Sequence, residues 1–180
     1  MKIEITSEFQ PSKIICVGRN YADHAAELGN AVPTEPLLFL KAPSALIRNG
    51  EPIVIPKQSL QVEHEGELAI VISKICKGLT DADDVSHYVL GYTCLNDVTA
   101  RDIQRKDVQF TRGKSFDTFC PIGPVIETEL VVRDIRIVTR RNGEIRQEGR
   151  TSQMVFPVAF LLRITTSVLT MNDGEVIAAG

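Results

Sequence analysis

The stretch VEHEGELAIVIS, residues 62–73, constrains the fold more than any other part of the chain. Read as one strand, it points Glu63, Glu65 and Glu67 to the same face as Ala69 and Val71, while His64, Gly66, Leu68, Ile70 and Ile72 point to the other. Beyond Glu67 both faces are apolar, so the strand must be covered on both sides. Acids at the head of such a strand repel one another and lose hydration, and a cation is their natural compensation. A charged strand edge is the ordinary alternative, because paired glutamates at this spacing are common.

The chain has enough apolar material to cover such a strand. Its 180 residues are 43% hydrophobic with a formal net charge of −3, which fits one domain with a sizeable core. Lysines and arginines are scattered rather than striped, which argues against a nucleic-acid partner. The opening MKIEITSEF places acids where a signal peptide needs an apolar run, and no stretch reaches transmembrane length. A cytoplasmic protein with no membrane partner is therefore expected. Cys16, Cys76, Cys94 and Cys120 are far apart and form no CxxC pair, which predicts free thiols rather than structural zinc or disulfides. Cys94 is a potential nucleophile, but a small residue ending a buried strand accounts for it more cheaply.

KIICVG (13–18) predicts a short strand, and YADHAAELG (21–29) a helix closed by Gly29. PLLFLKAPSALI reads as extended, proline-punctuated chain. Thr80 or Asp81 is placed to cap a helix, VLGYTCLND (89–97) returns as a strand, and VTARDIQRKD reads as a short helix. IRIVTRRNGEIRQEG alternates about Asn142-Gly143, a hairpin signature. SQMVFPVAFLLRITTSVLT predicts an amphipathic helix interrupted near Pro157, and DGEVIAAG begins a final strand. Strands dominate and no regular strand-helix repeat occurs, so the expected class is α+β and strand-rich.

Three groups of residues carry chemistry. Glu65 and Glu67 with Asp97 form an all-oxygen donor set, which selects magnesium, manganese or calcium over zinc and leaves positions for water and substrate. The competing reading makes Asp97 a helix N-cap. Arg101 and Gln104, four and seven residues after Asp97, share a helical face with it. Arg101 either fixes Asp97 or binds a substrate carboxylate, and Gln104 donates to a developing oxyanion, unless the face is simply solvated. RGKS (112–115) places Lys114 in a glycine-flanked loop, without the first glycine that a phosphate loop requires. His24 and Glu27, on one face of the helix from 21 to 28, form either an oriented general base or an ordinary surface pair.

In order along the chain, VGRNYADHAAELG, PLLFLKAPSALI, VEHEGELAIVI, NDVTARDIQ, GKSFDTFCPIGP, NGEIRQEGRTSQMVF and DGEVIAAG resemble the motifs of the fumarylacetoacetate hydrolase family. The resemblance runs from about Lys13 to the end, after a lead-in of residues 1–12. The short lead-in is similar to that of the acylpyruvase, fumarylpyruvate hydrolase and oxaloacetate decarboxylase branch. It is also similar to the isomerase and decarboxylase enzymes of homoprotocatechuate breakdown.

The resemblance implies a mixed β-sandwich roll that assembles as a homodimer, with Glu65, Glu67 and Asp97 binding Mg2+ or Mn2+. It implies that His24 and Glu27 lie on a lid and form a water-activating dyad. Gln104 and Lys114 would contact substrate oxygens, with Arg19, Tyr21 and Arg101 completing the substrate site. The implied substrate is a 2-oxo acid of the acylpyruvate type, cleaved at a carbon-carbon bond with release of pyruvate. Decarboxylation of oxaloacetate and isomerisation of 2-hydroxyhepta-2,4-diene-1,7-dioate are the alternatives.

One departure stands out. Family members continue past the final glycine with a TGTPxGVG loop and further strands, whereas this sequence reads Ala178, Ala179, Gly180. The expectation is a domain over 13–180 that is C-terminally incomplete relative to the family, with an exposed sheet edge. A non-catalytic metal-binding or dimerisation module is the alternative of another class.

Overall fold

The computed structural model describes residues 1–21 and 33–180; His24, Glu27 and nearly all of the helix expected over 21–28 lie outside the described residues. The strands are β1 (Lys2–Glu4), β2 (Ile14–Gly18), β3 (Leu37–Lys41), β4 (Leu46–Arg48), β5 (Val62–Glu63), β6 (Gly66–Ile72), β7 (Val89–Asn96) and β8 (Thr99–Ala100). Two short helices follow, α1 (Arg101–Lys106) and α2 (Thr111–Lys114). Then come β9 (Cys120–Ile122), β10 (Val125–Glu127), β11 (Arg136–Arg141), β12 (Glu144–Arg150), α3 (Val158–Val168) and β13 (Val176–Ala178).

The apolar run behind Glu67 becomes β6, and the main sheet is organised around it in the order β1-β10-β7-β6-β13-β2-β3, with β9 joined to β7 and β4 to β9. The sheet is mixed: β13 runs parallel to β2 and β4 parallel to β9, while β6 is antiparallel to both neighbours. Ala69 and Val71 face a core with Leu95, Val98, Ile103 and Phe119. Leu68, Ile70 and Ile72 face a second core with Phe156, Leu161 and Leu162. The strand is thus covered on both sides, as its composition requires. Leu161 and Leu162 are fully buried on α3, and each such side chain stabilises the layer by about 1.5–3 kcal/mol. Pro157 begins that helix instead of interrupting it, because the N-cap position needs no intrahelical donor.

Several expectations change in detail. The segment 62–73 is two strands, broken at His64-Glu65. The break arises because the Glu65 N–H donates to the Asn96 side chain at 3.0 Å and the Glu65 C=O accepts from Asp97 N–H at 2.8 Å, outside the regular ladder. Neither Thr80 nor Asp81 caps a helix. Asp83 accepts from Thr80 in a turn, and Asp84 caps a single 3-10 turn over Val85–Tyr88 by accepting from Ser86 N–H. Lys114 closes a helical turn, not a loop. The four cysteines are free, but Cys94 is exposed on β7 and not buried.

Asn142 and Gly143 both have positive φ, 54° and 82°, so the β11–β12 connection is the tight turn its dipeptide predicts. Ile137, Thr139, Gln147 and Gly149 of this hairpin are partly buried, whereas Arg136, Glu148 and Arg150 are exposed. Among the described residues, no helix is long and apolar enough to cross a membrane.

Candidate metal centre

The site lies where β6 and β7 part. After a register irregularity between Ile72 and Val71, the two strands pair regularly from Val71 down to Gly66 opposite Asn96, where the ladder ends. Val62 and Glu63 continue in β5, which pairs with Thr99 and Ala100 of β8. Between the two ladders sit Glu65 and Asp97, released from strand alternation and turned toward Glu67. One carboxylate oxygen from each of Glu65, Glu67 and Asp97 lies within 4.8 Å of the others.

Cations hold two of these acids. Lys114 Nζ donates to Glu65 Oε2 at 2.6 Å and to Asp97 Oδ2 at 2.5 Å, and lies 5.0 Å from the centre of the Phe39 ring. Lys41, wholly buried at the end of β3, donates to Asp97 Oδ1 at 2.6 Å and to the Val98 carbonyl at 3.1 Å. Arg101 pairs with Glu65 through Nη2 and with Glu63 Oε2 at 2.9 Å, and its Nη1 donates to Gln104 Oε1 at 2.7 Å. Burial alone would raise the Glu65 carboxyl, but Lys114 and Arg101 outweigh it and hold the group below the usual carboxylate range. Burial also opposes charge on Lys114, and Asp97 and Glu65 outweigh it to raise that ammonium.

Glu67 is the exception. It is buried and accepts a 2.8 Å hydrogen bond from the Gly180 N–H, yet burial, then Asp97 and Glu65, push its carboxyl well above the ordinary range. A buried acid destabilised by two neighbouring carboxylates is relieved by a divalent ion on their shared side. Three carboxylates with no nitrogen or sulfur donor suit a hard divalent cation.

The packing that delivers Lys114 is tight. A Cβ on Gly113 would meet Gln104 N at 3.0 Å and the Ala100 carbonyl at 3.2 Å, so α2 lies directly against α1 only because this residue is glycine. Asp97 does not share the helical face with Arg101 and Gln104, because β8 intervenes and α1 begins at Arg101. Nor does Asp97 cap that helix: Ala100 occupies the N-cap, and Arg101 pairs with the two glutamates instead. Arg19 is exposed in the left-handed region at φ 61°, while the Tyr21 hydroxyl is buried without a hydrogen-bond partner among the described residues. Burial, and then Glu67, push that phenol up to about 12.

Sequence reasoning missed Lys41 and Asn20. Lys41 terminates the apolar LLFLK strand, and a lone charge at that position was the available signal. Asn20 lies within VGRNY and joins two distant segments. Its side chain donates to the Ala179 and Phe156 carbonyls at 2.7 and 3.1 Å and accepts from Phe156 N–H at 2.7 Å. It thereby fixes the chain beside Gly180, the donor to Glu67.

The molecule is thus a strand-rich α+β roll with an all-carboxylate cluster, able to hold a metal ion, at the parting of two central strands. The chain belongs to the fumarylacetoacetate hydrolase family: residues 13–180 match the fumarylacetoacetate (FAA) hydrolase C-terminal family, whose members are enzymes. An uncharacterized protein of Methanocaldococcus jannaschii is 50% identical over 173 residues, covering 96% of this chain and 73% of the relative. The mitochondrial oxaloacetate tautomerase of Bos taurus is 38% identical over 173 residues, covering 93% of this chain and 78% of the relative. The crystal structure of 5-carboxymethyl-2-hydroxymuconate delta-isomerase from Mycobacterium smegmatis is 46% identical with a TM-score of 0.88, over 95% of this chain and 68% of that one.

Proposed function

We propose that the chain is a divalent-metal-dependent enzyme that moves a proton within a 2-oxo acid, interconverting its keto and enol forms. The observation that carries this reading is the convergence of Glu65, Glu67 and Asp97 within 4.8 Å, bordered by the ammonium of Lys114. Similarity to an oxaloacetate tautomerase and to a hydroxymuconate isomerase supports the same chemistry. Glu65, Glu67 and Asp97 would hold Mg2+ or Mn2+, which when bound supplies Lewis-acid charge that favours negative charge on a 2-oxo oxygen.

The chain's own residues would do the rest. Lys114 carries a fixed positive charge at the edge of the triad and would donate to a substrate oxygen as charge develops there. Arg101 is already engaged with Glu63 and Glu65, so its part is to hold Glu65 in place. The Gln104 oxygen accepts from Arg101, so its amide N–H groups would be the ones to contact substrate. Arg19 and Tyr21 would contribute further substrate contacts. His24, oriented by Glu27, would take a proton from the carbon beside the keto group. In a second reading the same base takes a proton from water, whose oxygen then bonds to a distal acyl carbonyl carbon; the adjoining carbon-carbon bond breaks, giving an acid and a pyruvate enolate that takes the proton back to become pyruvate. The spacing of His24 and Glu27 favours neither reaction over the other.

One assay separates them. Oxaloacetate, acylpyruvates and fumarylpyruvate are followed by ultraviolet absorbance of the enol and, in parallel, by coupled detection of pyruvate. Enol loss without pyruvate identifies a tautomerase or isomerase, and pyruvate release identifies cleavage or decarboxylation. EDTA abolishes either activity and added Mg2+ or Mn2+ restores it. His24→Ala slows turnover by roughly 100-fold or more, the range of a lost general base. Failure to turn over every member of the panel in the presence of metal overturns the proposal. Homodimerisation belongs to the same proposal and is read by light scattering.

A further inference from the structure

The side chain of Gln147 makes a paired contact that the chemistry above does not use. Its Oε1 accepts from the Gly66 N–H at 2.7 Å, and its Nε2 donates to the Gly66 carbonyl at 3.0 Å. Gly66 is the residue between Glu65 and Glu67. We infer that the β11–β12 hairpin positions these two acids, with Gln147 as the positioning residue that locks the two successive peptide groups, one on each side of the Gly66 Cα, that join them. The inference rests on the proposed cation at the triad.

The geometry explains why a side-chain amide is needed there. Along β6, Ile72 donates to Glu175 and Leu68 accepts from Ala179, so alternate residues turn their backbone groups toward the β13 side. Gly66 is the next residue in that series, and the last pairing with β13 is Ala69 opposite Ala178. The carboxamide of Gln147 offers one donor and one acceptor at the spacing of a peptide group, and it satisfies both orphaned Gly66 groups. Exchanging its nitrogen and oxygen would set donor against donor and acceptor against acceptor, so the network fixes one orientation. Thr139, directly across the hairpin from Gln147, donates to Gln147 Oε1 at 3.3 Å and holds that orientation.

The approach of the hairpin depends on residue 66 having no side chain. A Cβ on Gly66 would fall 2.0 Å from Thr139 Oγ1 and 3.4 Å from Gln147 Oε1. Glycine therefore admits the contact but also brings the greatest backbone freedom to the residue whose φ and ψ link the peptides of Glu65 and Glu67. Two hydrogen bonds from Gln147 remove that freedom. Partners that orient metal ligands from behind typically tune affinity by about 10- to 100-fold when mutated.

The test titrates Mn2+ into metal-free protein and follows free and bound ion by electron paramagnetic resonance, at a temperature well below each variant's melting point. Gln147→Met keeps the side-chain length and loses both bonds, and its Kd for Mn2+ is expected to rise about tenfold, with a broadened bound-ion signal. Thr139→Val, which keeps the side-chain shape and removes the hydroxyl that donates to Gln147, is expected to weaken Mn2+ binding in the same direction by a smaller factor. Arg136→Ala removes only the exposed hairpin ion pair with Glu148 and is expected to leave the Kd unchanged. Wild-type affinity in both Gln147→Met and Thr139→Val overturns the positioning role while leaving the metal reading intact. Equal weakening by Arg136→Ala also overturns it, because general loosening of the hairpin would then be the cause. If Gln147→Met does not fold, Thr139→Val decides by the same criterion. Absence of Mn2+ uptake by the wild-type protein overturns the metal reading and this inference together.

Discussion

Glu67→Gln loses divalent-cation binding while the metal-free protein keeps or gains stability. The two halves of this result come from one cause. Glu67 is buried, and burial together with Asp97 and Glu65 raises its carboxyl well above the ordinary range. Without an ion, its charge is therefore a liability, and a neutral amide of the same shape removes the repulsion while its oxygen still accepts from Gly180 N–H. With an ion, the same charge is a ligand. Its loss should weaken Mg2+ or Mn2+ binding by more than about 100-fold, beyond the upper range seen for residues that merely support ligands. Calorimetric titration and thermal melts in EDTA read the two halves separately. Wild-type affinity in the variant would show that Glu67 is not a ligand.

Lys41→Met destabilises the metal-free protein by about 3 kcal/mol, which is the low end of the range for breaking a buried ion pair by deleting one partner. Lys41 has no exposure, and its ammonium satisfies both Asp97 Oδ1 and the Val98 carbonyl. Removing it strands both oxygens in the core. The loss is at the low end because Lys114 remains on Asp97 Oδ2. For a domain of this size the shift corresponds to a fall of about 10 °C in melting temperature. Saturating Mn2+ should recover part of it, because an ion that binds only the folded state stabilises by mass action. Denaturant melts with EDTA and with Mn2+ measure both quantities. A fall below about 1 kcal/mol in EDTA would show that Lys114 alone balances the Asp97 charge.

The elements that sequence reasoning located are those with a local cause. The two apolar faces of 68–72 require a covered strand, and they lie between two cores. Asn142-Gly143 dictates its own turn through positive φ at both residues. The triad was legible because the ExE spacing and the acid after LN survive as local sequence. What fixes its geometry was not legible, since it comes from residues remote in the chain. Lys41 reaches Asp97 across 56 positions, Gln147 reaches Gly66 across 81, and Gly180 reaches Glu67 across 113. The same limit explains the misplaced face of α1. Counting from Asp97 assumed a helix through 97–104, whereas pairing of Thr99 and Ala100 with β5 delays the helix to Arg101 and redirects its guanidinium to Glu63 and Glu65.

The proposed chemistry requires one divalent ion among Glu65, Glu67 and Asp97. Crystals grown with Mn2+ and measured at a wavelength where manganese scatters anomalously test it directly. The predicted result is a single strong anomalous peak within coordination distance of all three carboxylates, with the Lys114 ammonium moved off the shared oxygens. A well-ordered site with no peak there, and Lys114 still bridging Glu65 and Asp97, would contradict it.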